Sequence, residues 1–193
     1  MKDIIVERKT KETDIKICLK PESKNAPKIK TPLPFFSHML NSAFFHGGFD
    51  INIEAAGDIE VDPHHLVEDT GIVLGQVFRE LFKLYKKVAR YGDCTIPMDD
   101  ALCQVVIDVC ERSYLVYKAE FSNPRAGDFD LWLLKEFFTG FTNSARINLH
   151  IIKHYGENGH HEAEAAFKAW GIALSKAYKK QEDDRLLSTK GSL

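Results

Sequence analysis

The sequence has no long apolar run and no strong excess of one charge. Its longest apolar stretches fall well short of the roughly 18 residues that a membrane-spanning helix needs. The first ten residues carry charges where a secretory signal would need an apolar core. With 26 Lys and Arg against 28 Asp and Glu, the chain also lacks the basic bias typical of nucleic-acid-binding proteins. These absences predict a cytoplasmic protein that binds neither membranes nor nucleic acids.

Two common cysteine and histidine patterns are also missing. None of the four cysteines belongs to a CxxC pair, which favours free thiols over a disulfide or a zinc site. The zinc-protease pattern HExxH is absent because Ala165 stands where the second histidine would follow His161 and Glu162. The sequence therefore gives no sign of a protease helix or of a structural zinc site built from thiolates.

An internal repeat is the most informative feature that is present. The pattern HHxxE occurs at His64, His65 and Glu68 and returns at His160, His161 and Glu164. Similar predicted elements precede both copies, in the order ββαβα. We therefore interpret the chain as a single domain, 1–193, made of two half-repeats, 1–90 and 91–193. The predicted fold class is α/β, of the α+β type. It is an internal duplication of two ββαβα halves, with mixed sheets packed on helices.

The predicted elements follow from hydrophobic spacing. In the first half they are strands at 2–8, 14–19 and 49–55 and helices at 36–46 and 64–88. In the second half, strands at 101–109 and 114–121 are expected to pair with each other. A loop at 122–128, a helix at 129–144, a strand at 145–153 and a helix at 160–179 follow.

The HHxxE spacing suits metal binding. On a helix, His64 and Glu68 lie one turn apart on the same face, whereas His64 and His65 diverge by about 100°. One helix can thus direct two imidazoles to different metal ions. A single HHxxE is more simply a solvated helix end, but two copies in the same context favour metal ligation. Imidazole and carboxylate together suit a first-row divalent ion such as manganese, iron, cobalt or zinc.

The repeat also relates two residues on the shorter predicted helices. His38 lies 26 residues before His64, and Glu136 lies 24 residues before His160. Both side chains can bind a metal, so the sequence predicts a duplicated metal half-site with a histidine in one half and a carboxylate in the other.

Several blocks together resemble the imidazoleglycerol-phosphate dehydratase family over nearly the whole chain. These blocks are FFSHML, DPHHLVEDTGI, RYGDCTIPMDDAL, EFF, INLHI, GENGHHEAEAAFKA and STKG. The resemblance implies two similar α/β halves, like the second domain of ribosomal protein S5. It also implies a homo-oligomer of 24 subunits, with active sites at subunit interfaces and two manganese(II) ions per active site.

The resemblance further implies the residues of the site. Seven family ligands fall on His38, His64, His65, Glu68, His160, His161 and Glu164, and an eighth, often a histidine, falls on Glu136. Substrate-binding positions fall on Glu12, His38, His46, His64, His65, Glu68, Arg90, Arg112, His160, Lys168, Ser188 and Lys190. Of these, Arg90, Arg112, Lys168 and Lys190 would bind the phosphate, for which cationic side chains are suited.

The activity implied is the metal-dependent removal of water from imidazole glycerol phosphate, a small phosphorylated imidazole, to give imidazole acetol phosphate in histidine biosynthesis. Glu12, Glu164 and Glu68 are the candidate catalytic residues for proton transfer. Two alternatives use the same ligands: a dinuclear metal-dependent phosphoester hydrolase, and a non-catalytic shell assembled by metal. Release of phosphate would distinguish the hydrolase from the lyase.

Overall fold

The structure, a computed structural model, describes residues 2–181. Each half contains a four-stranded sheet and two helices. The first half comprises β1 (Ile4–Lys9), β2 (Thr13–Leu19), β3 (Lys28–Lys30), α1 (Pro34–Gly47), β4 (Ile51–Gly57) and α2 (Pro63–Tyr85). The second comprises β5 (Tyr91–Met98), β6 (Ala101–Asp108), β7 (Tyr114–Lys118), β8 (Arg125–Ala126), β9 (Phe129–Asp130), α3 (Leu133–Ala145), β10 (Asn148–Tyr155) and α4 (Gly159–Ala177).

The two large sheets share one topology. Their strand orders are β1-β2-β4-β3 and β5-β6-β10-β7. In each sheet the first three strands are antiparallel neighbours, and the fourth runs parallel to the strand beside it. Mixed sheets packed on helices were predicted from the sequence, and the structure confirms that fold class. The matching strand orders are what an internal duplication produces.

The predicted pairing of 101–109 with 114–121 is wrong. β10 lies between β6 and β7, and β6 takes β5 as its other partner. β5 was not predicted from the sequence, because Gly92 and Pro97 are unusual in a strand. β5 is an edge strand, and such strands tolerate proline because one of their two sides has no neighbouring strand that requires an N–H donor.

Two smaller strand features were also missed. β3, which is only three residues long, gives the first half three strands before its first helix rather than the predicted two. The hairpin of β8 and β9 occupies the end of the predicted loop 122–128 and the first residues of the predicted helix 129–144. As a result, α3 begins at Leu133.

The four helices form a layer between the two sheets. α2 packs on β1, β2 and β4, while α4 packs on β5 and β6. The burial of alternate residues follows from this arrangement: Ile15 and Ile17 on β2 face the helices and are buried, while Lys16 between them is exposed. Among the aromatic side chains of the core, Trp170 on α4 is fully buried.

Helices pair across the two halves rather than within them. α1 of the first half packs on α4 of the second, and α2 of the first packs on α3 of the second. Glycines allow both pairs to approach closely. A Cβ added at Gly171 would lie 1.9 Å from the carbonyl oxygen of Ala43, and one at Gly71 would lie 2.2 Å from that of Phe137. The close contact fixes the separation of side chains that the paired helices carry.

All four cysteines are free thiols, as predicted, and Cys103 and Cys110 are buried. Burial raises the pKa of the Cys103 thiol to about 12, which keeps it protonated at neutral pH. Of the helices among residues 2–181, none combines the length and the apolar character needed to cross a membrane.

Candidate metal centre and active site

Both HHxxE motifs lie in the first turns of capped helices. The side chain of Asp62 accepts a hydrogen bond from the backbone N–H of His64 at 2.8 Å. In the second half, the side chain of Asn158 accepts one from the backbone N–H of His160 at 2.9 Å. Such caps satisfy N–H groups that a helix leaves unpaired at its start. The same kind of N-terminal cap therefore positions the two histidine pairs.

A three-residue cluster joins the two halves. Nε2 of His160 lies 3.3 Å from Oε2 of Glu164, and Nε2 of His38 lies 3.5 Å from the same oxygen. The potential ligand atoms of the three residues all lie within 4.8 Å of one another. Within residues 2–181, no other group of three or more His, Cys, Asp or Glu side chains has its potential ligand atoms this near to one another. The structure thus assembles three of the predicted ligands from α1 and α4.

The first motif repeats part of this geometry. Nε2 of His64 lies 3.3 Å from Oε2 of Glu68, the same separation as in the second motif. An aromatic ring stands edge-on to the first histidine in each case. Trp132 does so at His64, with ring centroids 5.5 Å apart, and Phe35 does so at His160, with centroids 5.3 Å apart.

Glu136 is half-buried on α3, one turn after Trp132 and on the helix that packs on α2. The structure does not bring its carboxylate into a group of three with other potential ligands among the described residues. Its role as a ligand therefore stays a prediction.

The second histidine of each pair is held by a carboxylate. Nδ1 of His161 lies 2.5 Å from Oδ1 of Asp100, and Nδ1 of His65 lies 3.2 Å from Oδ1 of Asp58. These hydrogen bonds raise the pKa of both imidazoles against the opposing effect of burial. The hydrogen bond from His161 is also the main cause that lowers the pKa of Asp100.

Glu164 forms a salt bridge with Lys168, one turn further along α4. Nζ of Lys168 lies 2.9 Å from Oε1 of Glu164, while Oε2 faces the two histidines. Burial would raise the pKa of Glu164, but the hydrogen bond and charge of Lys168, together with His38, lower it overall. Both oxygens of a buried and ionised carboxylate are thus occupied.

Glu12 lies in the turn between β1 and β2 and is exposed. Its charge contributes to the raised pKa of His65, after the larger contribution of the hydrogen bond to Asp58. The carbonyl oxygen of Glu12 also accepts a hydrogen bond from the N–H of Asp58 at 3.0 Å. The predicted proton-transfer residue therefore lies close to the first histidine pair.

The predicted phosphate-binding arginines lie far from the cluster within one chain. The backbone N–H of Arg90 donates to the carbonyl of Ala177 at the end of α4, whereas His160 is at its start. At 1.5 Å per residue these ends are about 25 Å apart. The carbonyl of Arg112 accepts a hydrogen bond from Asn148 at the start of β10, the strand whose other end leads to α4. The structure does not bring either arginine to the cluster.

Comparison with known proteins identifies the family. The family model described as imidazoleglycerol-phosphate dehydratase matches residues 31–174. The chain is 47% identical to the imidazoleglycerol-phosphate dehydratase of Methanococcoides burtonii over 193 residues, which is all of both chains. It is also 47% identical to that of Syntrophus aciditrophicus, covering 100% of this chain and 99% of the relative.

The chain belongs to the imidazoleglycerol-phosphate dehydratase family.

Solved structures of the family share the fold. The crystal structure of the dehydratase from Pyrococcus furiosus superposes with a TM-score of 0.86 at 41% identity, covering 97% of this chain and 100% of that one. The dehydratase from Staphylococcus aureus gives a TM-score of 0.85 at 38% identity, covering 93% and 100%. The dehydratase fold and the resemblance that the sequence analysis stated are both confirmed.

Three of the predicted substrate-binding positions remain, at His46, Ser188 and Lys190. His46 is exposed in the last turn of α1, where its ring meets that of Phe45. Ser188 and Lys190 lie outside the residues that the structure describes. Asp58, which directly follows β4, was not predicted as a partner of His65, because no spacing pattern in the sequence relates the two residues.

Proposed function

We propose that this chain catalyses the dehydration of imidazole glycerol phosphate to imidazole acetol phosphate, as a hydro-lyase of histidine biosynthesis. The observation that supports it most is the cluster of His38, His160 and Glu164, which unites both halves of a chain that matches this enzyme family from end to end. The substrate would be a small phosphorylated imidazole.

The donor set fits a divalent first-row ion. The cluster offers two imidazole nitrogens and one ionised carboxylate oxygen, a mixture that manganese, iron, cobalt and zinc all accept. The two buried thiols, Cys103 and Cys110, are shielded from solvent and lie outside the cluster. We propose manganese(II), two ions per active site, held by His38, His64, His65, Glu68, Glu136, His160, His161 and Glu164. When bound, such ions supply positive charge that stabilises negative charge on the substrate imidazole.

Glu12 is the best candidate for the proton-transfer residue among the three carboxylates considered. Both oxygens of Glu164 are engaged, and its lowered pKa makes it a weak base. Glu68 is paired with His64. Glu12 is exposed beside the first histidine pair, so its carboxylate can reach a bound substrate.

The separation of the basic residues favours an active site shared between subunits. Lys168 lies one turn from Glu164, but Arg90 and Arg112 lie near the opposite end of α4 and β10. If all three bind one phosphate, the arginines must come from another copy of the chain. We therefore propose a homo-oligomer with active sites between subunits, of 24 subunits in line with the resemblance, in the cytoplasm.

The test is turnover of imidazole glycerol phosphate by metal-stripped protein, with and without added manganese. The proposal expects manganese-dependent formation of the ketone without release of phosphate. Phosphate release would indicate the hydrolase instead. No ketone from protein shown to be assembled and metallated would overturn the dehydratase.

A further inference from the structure

We infer that Asp100 is a positioning residue that fixes both histidines of the second motif for metal binding. This inference rests on the proposed metal site. Asp100 lies in the turn between β5 and β6, far in sequence from the histidines that it would orient.

The two carboxylate oxygens of Asp100 form hydrogen bonds with different groups. Oδ1 lies 2.5 Å from Nδ1 of His161. Oδ2 accepts hydrogen bonds from the backbone N–H groups of Glu157 and Asn158, at 2.6 and 3.0 Å. One side chain thus binds both a candidate ligand and the segment that leads into α4.

The contact with the backbone reaches the other histidine as well. Asn158, whose N–H binds Asp100, uses its own side chain to cap the N–H of His160. The position of Asn158 decides where α4 begins and therefore where His160 stands. Asp100 is connected to His160 through this cap and to His161 directly.

The direct contact also selects the imidazole tautomer. An ionised carboxylate can only accept hydrogen bonds, so Nδ1 of neutral His161 must carry the proton. Nε2 then keeps its lone pair, which a metal ion requires. Nε2 lies 3.6 Å from Oδ2 of Asp99, but that side chain is 72% exposed and is not held over the nitrogen by burial.

The equivalent contact in the first motif is weaker. His65 and Asp58 are 3.2 Å apart, and the described hydrogen bonds of Asp58 to the start of α2 come from its backbone rather than its carboxylate. The carboxylate of Asp100 therefore binds both a histidine and the backbone that leads into α4. In the first half, the carboxylate of Asp58 binds the histidine, and its backbone carbonyl binds the segment that leads into α2.

The Asp100→Asn variant tests the inference by manganese binding rather than by activity. If the amide oxygen keeps the two backbone N–H groups, its NH2 group faces Nδ1 and requires the proton of His161 to move to Nε2. We expect the affinity for one manganese site to fall roughly 10- to 100-fold, the effect usual for loss of such a partner. Calorimetric titration of metal-stripped protein measures both affinities. Asp93→Asn, which removes an exposed carboxylate from β5, the strand that leads into this turn, is the matched control and should bind as the parent does.

Unchanged affinity and stoichiometry in folded Asp100→Asn would overturn the inference. Failure of the parent chain to bind manganese would instead overturn the proposed metal site, so the two failures are distinguishable. Should Asp100→Asn not fold, Asp100→Glu keeps the charge but displaces it by one methylene. It should also lower the affinity of one site, and parent-like binding by that variant would count against Asp100.

Discussion

Nε2 of His38 lies 3.5 Å from Oε2 of Glu164, although the two residues belong to opposite halves of the chain. The contact depends on the packing of α1 on α4, where Gly171 meets the backbone of Ala43. Neither half contains this cluster alone. The cluster therefore depends on the packing of the two halves against each other.

The substitution Gly171→Ala should destabilise the fold. The new Cβ would lie 1.9 Å from the carbonyl oxygen of Ala43, so the two helices would have to move apart. We expect the free energy of unfolding to fall by roughly 2–3 kcal/mol, at the upper end for overpacking. Urea unfolding of the metal-free protein measures it. Ser175→Ala, an exposed position on the same helix, should change it by less than about 0.5 kcal/mol. Equal stability of both variants would contradict the close packing.

The substitution Lys168→Ala should impair substrate binding. Loss of one charged hydrogen bond to phosphate is worth about 1.5–3 kcal/mol, so KM should rise roughly 10- to 100-fold. Steady-state kinetics with manganese in excess gives KM, and metal analysis should show full occupancy. The control is Lys176→Ala on the same helix, where Nζ binds the carbonyl of Asp93 instead of the cluster. Loss of metal with unchanged KM would exclude the phosphate role.

The substitution His65→Ala should lower metal occupancy and loosen the assembly. His65 is held by Asp58 in the first turn of α2, where its other ring nitrogen can bind a metal ion. We expect a fall of about one ion per site, measured by metal analysis together with particle size in solution. His154→Ala, an exposed histidine near Gln104, serves as the control. A fully metallated and intact particle would remove His65 from the ligand set.

Substitutions of Glu136 test whether its carboxylate is the eighth metal ligand. Glu136→Ala removes a donor and should weaken manganese binding at the site of His64 and Glu68, while Glu136→His should retain binding with altered affinity. Manganese titration of both variants measures this. Parent-like affinities in Glu136→Ala would show that the eighth ligand lies elsewhere.

Much of the site could be predicted from the sequence, because its signals are local. His64 and Glu68, like His160 and Glu164, are adjacent on one helix by spacing alone, and the structure shows both pairs at 3.3 Å. Strand β5 and the carboxylate of Asp58 were missed because neither has such a local signal. Gly92 and Pro97 disguise an edge strand, and Asp58 has no spacing that marks it as a partner of His65.

The sequence by itself determined the family, the repeat and the helical placement of both histidine pairs, since each depends on residues close together along the chain. Only the tertiary structure decided that α1 pairs with α4 and α2 with α3, that Asp100 reaches His161, and that Arg90 lies a helix length from His160. Hydrophobic spacing shows which face of a helix is buried but not which helix covers it. That choice depends on the order of strands in two sheets and on glycines that permit close contact.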